Sequence, residues 1–182
     1  MIVNDFAIHI ASANGTGSWS ANLALMHGIF NMGVPVAAKN FFPSNISGLP
    51  TWFHLRASRD DYRARKDVSE ILVCMNQETV IDDLMKADPG TVCFVRDKLL
   101  HQVEREDISI VPFPADALIK ECCETSKLRR LVVNFLYVGI VAEYLAMDDE
   151  ALRAAVSSVF GGKPRAVEVN QAAVECGKQW VR

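Results

Sequence analysis

No stretch of about 18 uncharged apolar residues, the length a membrane-spanning helix requires, occurs in these 182 residues. Paired cysteines are also lacking. Cys74, Cys93, Cys122, Cys123 and Cys176 make an odd set with no C-x-x-C spacing, which argues against a metal site or disulfide framework and for a reducing compartment. There is no G-x-S-x-G, no Walker lysine and no Cys–His pairing signal, so the chain carries no catalytic constellation of its own. His9, His27, His54 and His101 stand without a ligand-spaced partner and read as satisfied structural histidines. Nor is there a block of one charge. The net charge is −3, and Arg56, Arg59, Arg63, Arg65 and Lys66 are interleaved with Asp60 and Asp61, as on a solvated strand-and-turn face. Nucleic acid, a membrane span and a bound metal are thereby excluded as expectations. The opening "MIVNDFAIHI" carries Asp5 and lacks a basic region or a small-residue cleavage site, so a cytoplasmic protein is expected.

What is present is a hydrophobic, globular composition. Half the residues are apolar and the mean hydropathy is +0.12, which points to a surface covered by a partner. The length suits a single domain over 1–182, with a sheet portion over about 1–124 and a helical tail over about 125–182.

Alternation of Phe6, Ile8 and Ile10 with Ala7 and His9 predicts a strand over roughly 4–11, followed by a turn and a helix from about Ser18 to Met32. That helix is apolar nearly all round and is expected to be deeply buried, with Gly33 as its stop. "VPVAAKNFF" and "TWFHLRAS" read as strands, and "SEILVCM", "TVCFVRD" and "ISIVPFP" as further strands alternating with the short helices "QETVIDDLMKADPG" and "ADALIKECCE". From Ser126 only helices follow: one long one over "KLRRLVVNFLYVGIVAEYL", then "DDEALRAAVSSVF", then "RAVEVNQAAVECGKQWV". The fold class expected is α/β, an open, mostly parallel sheet covered by helices with a C-terminal helical segment. In such folds ligands bind where loops leave the strand ends, and the first turn lies on that edge.

Three features compete for a functional role. The turn Ser12-Ala13-Asn14-Gly15-Thr16-Gly17, with Ser18 opening the helix, fits G-x-G-x-x-G only at its last glycine. Its amides and hydroxyls suit a phosphate, yet a tight turn into a buried helix needs the same glycines. The loop after "VPVAAKNFF", with Asn40, Ser44, Asn45 and Gly48, is longer than a connection requires, and reads as either a binding or interface segment or an ordinary surface loop. Asn134 and Asn170 sit in apolar helices, where each ties helix to helix or helix to loop or else faces a ligand.

"FAIHIASANGTGSWSANLAL", "MGVPVAAKNFFPSNISGLPTWFHLRAS", "VVNFLYVGIVAEYL" and "VEVNQAAVECG" together resemble the gamma domain of the 2-oxoacid:ferredoxin (acceptor) oxidoreductases. The form resembled most is the one at the N-terminus of fused alpha subunits of 2-oxoglutarate-type enzymes. The resemblance implies a Rossmann-like subunit of a complex in which thiamine diphosphate decarboxylates a 2-oxoacid. Iron–sulfur clusters would pass electrons to ferredoxin, and coenzyme A would take the acyl group. Thiamine and clusters would lie in alpha and beta partner subunits, while this chain would be inactive alone, assisting assembly in a hetero- or homo-oligomer. Carried over, Ser12, Asn14, Gly15, Thr16, Gly17 and Ser18 would contact coenzyme A, and Asn40, Ser44, Asn45 and Gly48 would lie at the alpha-subunit interface. Ser12 and Asn14 depart from the family's glycine-rich turn. The alternatives are a free-standing nucleotide-binding or regulatory α/β domain, an indolepyruvate oxidoreductase-type subunit, and a scaffold whose turn holds nothing.

Overall fold

The structure is a computed structural model in which residues 4–42, 49–100, 103 and 105–182 are described. By chain contacts it comprises two compact units, Met1–Gly15 with Pro35–Pro114, and Thr16–Val34 with Ala115–Arg182.

The first unit is the sheet. Its strands are β1 (Asp5–Ala13), β2 (Val36–Phe41), β3 (Pro50–Ser58), β4 (Ile71–Cys74), β5 (Val92–Arg96) and β6 (Ser109–Phe113), in the order β2-β3-β1-β4-β5-β6. β1, β4, β5 and β6 pair in parallel; β3 runs antiparallel to both β1 and β2. The expected open, mostly parallel sheet is therefore present. Period-two alternation sorts the strands onto two faces. Ile8, Ile10, Phe53, Leu55 and Val73 are buried on one face. On the other, Leu72, Cys74, Cys93 and Val95 pack with Val80 and Leu84 of the short helix Val80–Lys86, and with Leu99. Trp52 on β3 donates from Nε1 to Asp83 Oδ1 at 2.9 Å, and burial pushes the Asp83 carboxyl up. The C-terminal end of that short helix is closed by Arg105, whose Nη1 donates to the carbonyls of Leu84, Met85 and Ala87 at 2.9, 3.1 and 2.7 Å. "RDDYRARK", expected as a turn with a polar strand or loop, contains no strand.

The second unit is helical: α1 (Ser18–Asn31), α3 (Ala115–Cys122), α4 (Ser126–Val132), α5 (Asn134–Tyr144), α6 (Asp149–Val159) and α7 (Pro164–Val181), the Val80–Lys86 helix of the sheet unit being α2. Gly33, at φ +80°, follows the α1 C-cap as expected. α1 itself is not buried all round. Ala21, Leu25, Gly28 and Ile29 form a buried stripe, whereas Trp19 and Phe30 are 53% and 65% exposed. Gly28 explains the closeness on the buried side: a Cβ there would come within 2.9 Å of Met147 Cε and 3.2 Å of Leu152 Cδ1.

The single long helix expected over residues 127–145 is instead two, α4 and α5, divided at Val133. Every residue from Asn134 to Ala142 is buried, and α5 packs against α7 with almost no side chain between them. A Cβ on Gly139 would lie 3.0 Å from the Lys178 backbone nitrogen and closer still to the Val174 carbonyl oxygen. Tyr137, wholly buried, donates to Asn22 Oδ1 on α1 at 2.7 Å, and burial drives its phenol above the usual range. Tyr137→Phe leaves that amide oxygen unpaired and is expected to cost about 1–3 kcal/mol, measurable by urea unfolding with an unchanged m-value. A cost within about 0.3 kcal/mol of zero would mean that Asn22 is satisfied some other way.

Candidate functional site

The segment predicted to bind a cofactor joins β1 to α1. In the sheet unit Ser12 is buried near the end of β1, its carbonyl accepting from Asn76 Nδ2 at 3.1 Å. Asn14 donates its backbone N–H to the Leu49 carbonyl at 3.0 Å, and its side-chain Oδ1 accepts from the Gly15 N–H at 3.0 Å. Gly15 has φ +78° and nothing within 4 Å of where a Cβ would stand. Its glycine is required by conformation alone.

In the helical unit Thr16 is held by Asn134, whose Nδ2 donates to the Thr16 carbonyl at 2.7 Å. Asn134 thus ties helix to turn, as expected. Gly17 is the α1 N-cap at φ +83°, and a Cβ there would come within 2.8 Å of the Leu131 carbonyl oxygen on α4. Gly17 is therefore constrained twice, by conformation and by packing. No side chain caps α1 and no acidic residue lies in its first turn, so the helix start remains receptive to an anion.

Beside this helix start the same unit has an apolar cavity of about 460 Å³. Gly17, Ser20, Leu131, Phe135, Phe160 and Asn170 line it, with Arg165 contributing the one cation among the described residues. Asn170 does not tie helix to helix or loop as expected: its Nδ2 donates within its own helix to the Ala166 carbonyl at 2.8 Å. Its Oδ1 is buried without a hydrogen-bond partner. An apolar wall with one cation and one open acceptor, adjoining uncapped amides, suits a ligand combining a phosphate with an apolar arm bearing N–H groups. Sequence reading misses this cavity because its walls come from α1, α4, α5, α7 and the residue that follows α6.

Of the predicted interface residues, Asn40 lies on β2, its Oδ1 accepting from Thr51 Oγ1 at 3.0 Å. Ser44, Asn45 and Gly48 fall outside the described residues, as does His101. His9 and His54 are not satisfied structural histidines. They stack on one another with ring centroids 3.6 Å apart, and His9 Nε2 and His54 Nδ1 are buried without partners. Burial first, then repulsion between the two rings, pushes His54 down to about 4. Arg56 is not on a solvated face either: it is 8% exposed, because it follows His54 by two residues and shares its side of the sheet. Cys74 and Cys93 behave as the buried small hydrophobes expected, and burial pushes the Cys93 thiol up to about 11.

The sequence matches the family model described as pyruvate ferredoxin/flavodoxin oxidoreductase over residues 7–180. The chain belongs to this family. A search of curated proteins returned no match. Among solved structures, this member of the oxidoreductase family superposes with TM-score 0.85 and 23% identity on 2-oxoglutarate:ferredoxin oxidoreductase from Magnetococcus marinus, solved with 2-oxoglutarate, coenzyme A and succinyl-CoA bound. The match covers 98% of this chain and 31% of that one, so the chain spans about a third of that protein's length. It also resembles the gamma subunit of keto/oxoacid ferredoxin oxidoreductase from Geobacter sulfurreducens, at TM-score 0.77 and 17% identity, covering 97% and 98% of the two chains. The pyruvate oxidoreductase subunit PORC from Thermotoga maritima matches at TM-score 0.72 and 14% identity, covering 97% of each. The family member accordingly has the fold of the gamma subunit. Among its described residues no helix is long and apolar enough to cross a membrane, and no three His, Cys, Asp or Glu side chains assemble as a metal site.

Proposed function

We propose that this chain is the gamma subunit or gamma-type domain of a thiamine diphosphate-dependent 2-oxoacid:ferredoxin oxidoreductase, in which it assists assembly and holds coenzyme A. The observation that carries the reading is the family match, which runs from residue 7 to residue 180 and so through both units and the β1–α1 turn. It supports treating 1–182 as one working domain. The reaction of the complex would be oxidative decarboxylation of a 2-oxoacid in the cytoplasm, with thiamine diphosphate and iron–sulfur clusters in alpha and beta partners and ferredoxin as acceptor. Coenzyme A, when bound, supplies the thiol that receives the acyl group.

This chain's own part is binding and positioning. The contacts proposed are Ser12, Asn14, Gly15, Thr16, Gly17 and Ser18, with the uncapped amides at the start of α1 donating to phosphate oxygens. Leu131, Phe135 and Phe160 would keep water from the apolar arm, and Asn170 Oδ1 would accept an N–H from it. Exposed Trp19 and Phe30 on α1 suit burial against a partner subunit, and the segment with Asn40, Ser44, Asn45 and Gly48 is proposed at the alpha-subunit interface.

The test is coexpression with thiamine diphosphate-binding partner subunits. The expected result is one complex on size-exclusion chromatography whose KM for coenzyme A rises roughly fivefold or more in Gly15→Val, with the KM for the 2-oxoacid unchanged. Elution of the chain apart from its partners would overturn the assembly role, and an unmoved coenzyme A KM would leave the turn as scaffold.

A further inference from the structure

One face of the sheet unit carries a row of groups that the proposed function does not use. The registers pair His54 with His9 on one side and Lys39 on the other, and in the next row Arg56 with Ala7 and Ala37. Period-two alternation puts all six on the same face of three adjacent strands. The two alanines flanking Arg56 are too short to fill that face, and a cavity of about 250 Å³ remains over it. The segment after β3 brings Arg63, Arg65 and Lys66 to the same cavity.

Among the described residues, three buried nitrogens here have no hydrogen-bond partner: His9 Nε2, His54 Nδ1 and Arg56 Nη1. Arg56 is more than nine-tenths buried, and its other terminal nitrogen is ion-paired with Asp5. A buried guanidinium N–H left open is costly unless something accepts from it. Arg63, Arg65 and Lys66 are paired with Asp61, Asp67 and Glu70, none of which lines the cavity. Lys39 lies over the Phe41 ring and has no carboxylate partner among the described residues.

We propose that this cavity binds a tetrahedral oxyanion, a phosphate or phosphomonoester, through Arg56, His9 and His54, with Lys39 completing its charge. A divalent cation is disfavoured, because every ionised group among the described residues lining the cavity is positive. The volume lies just below the roughly 300–1,000 Å³ of sites that enclose whole drug-sized ligands, so it suits a single anionic group. The site is separate from the β1–α1 turn: His9 is midway along β1, and the turn begins beyond Ala13.

Binding should take up a proton. His9 donates one ring N–H to the Lys66 carbonyl, so its neutral ring presents a lone pair at Nε2, by hydrogen-bond assignment. Burial above all holds both rings neutral. Arg65 and the stacked partner ring add to this for His54, as Arg65 does for His9, whereas Asp67 favours protonation of both rings and Asp88 that of His9. With Arg56 and Lys39 also facing the rings, protonation without an anion is opposed. An oxyanion supplies the missing negative charge, and its affinity therefore rises as pH falls.

The experiment is calorimetric titration of the full chain with sodium sulfate, which does not titrate in this range, against sodium chloride at equal ionic strength. Saturable sulfate binding is expected, tighter by roughly threefold or more at about pH 5.5 than at about pH 7.5. Arg56→Gln is expected to weaken it about tenfold and Lys39→Gln about threefold. Lys39 is exposed, so its variant keeps the test valid should Arg56→Gln unfold. Inorganic phosphate and adenosine 3′,5′-bisphosphate distinguish the source: equal affinities assign a free anion, and tighter bisphosphate binding assigns a phosphomonoester group. Sulfate binding no better than chloride, affinity unchanged in Lys39→Gln, or affinity independent of pH would overturn the proposal.

Discussion

Gly139→Leu is expected to lower the melting temperature by about 6–12 °C. A side chain at this position has no room to grow into. Its first atom already falls within contact distance of the Val174 carbonyl and the Lys178 amide, which are backbone atoms of α7 and cannot rotate away. The helices must separate along their length, which opens the packing around Tyr137 and Ile140, both fully buried. Overpacking of this kind costs roughly 3 kcal/mol, the upper end of the usual range, and each kcal/mol is worth about 2–4 °C in a chain of this size. Gly177, whose Cβ would approach Leu136 and Ile140 of α5, provides the reciprocal test. Calorimetry on both variants should give comparable losses, and a shift below about 2 °C in either would show that α5 and α7 can part cheaply.

The second prediction separates the two glycines of the β1–α1 turn. Gly15→Ala and Gly17→Ala impose the same left-handed strain, roughly 1 kcal/mol each. Only Gly17→Ala also drives a methyl against the Leu131 carbonyl oxygen, adding about 1–3 kcal/mol. Denaturant unfolding should therefore rank Gly17→Ala as the more damaging by at least about 1 kcal/mol. Equal losses would mean that α4 yields, and that the glycine at position 17 answers to conformation alone. The same ranking explains why Gly15 is the better probe of coenzyme A: a change there alters the turn while leaving helix packing intact.

How much of this was readable beforehand depends on how local each determinant is. Strands announced themselves through alternation at Phe6, Ile8 and Ile10, and through the unbroken run Ile71–Cys74. α1 was bracketed by Gly17 and Gly33, whose positive φ values are properties of glycine itself. The break at Val133 was not legible. No Gly or Pro marks it, and it coincides with Asn134 reaching the Thr16 carbonyl, a contact set by residues far apart in the chain. The histidine stack is not legible in the sequence for a related reason. His9 and His54 meet only through the antiparallel register of β1 with β3, and a pattern search for ligand spacing looks along one segment at a time. Asn170 stands out in the sequence as an amide in an apolar stretch, but whether it faces a neighbour or a cavity depends on walls built by other helices.

The interleaving of the two units along the chain bears on how the protein is made. Neither unit is continuous in sequence: the chain leaves the sheet unit after Gly15, returns to it at Pro35 and leaves again after Pro114. On the ribosome, α1 therefore emerges long before Tyr137 of α5 and Leu152 of α6, which meet it at Asn22 and Gly28, exist to cover it. Its apolar stripe waits through the synthesis of the whole sheet, and the contacts that complete the helical unit are among the most distant in sequence that the fold contains. Such pairings close slowly and leave hydrophobic surface open in the meantime, which makes the newborn chain, rather than the finished one, the form most in need of protection from aggregation.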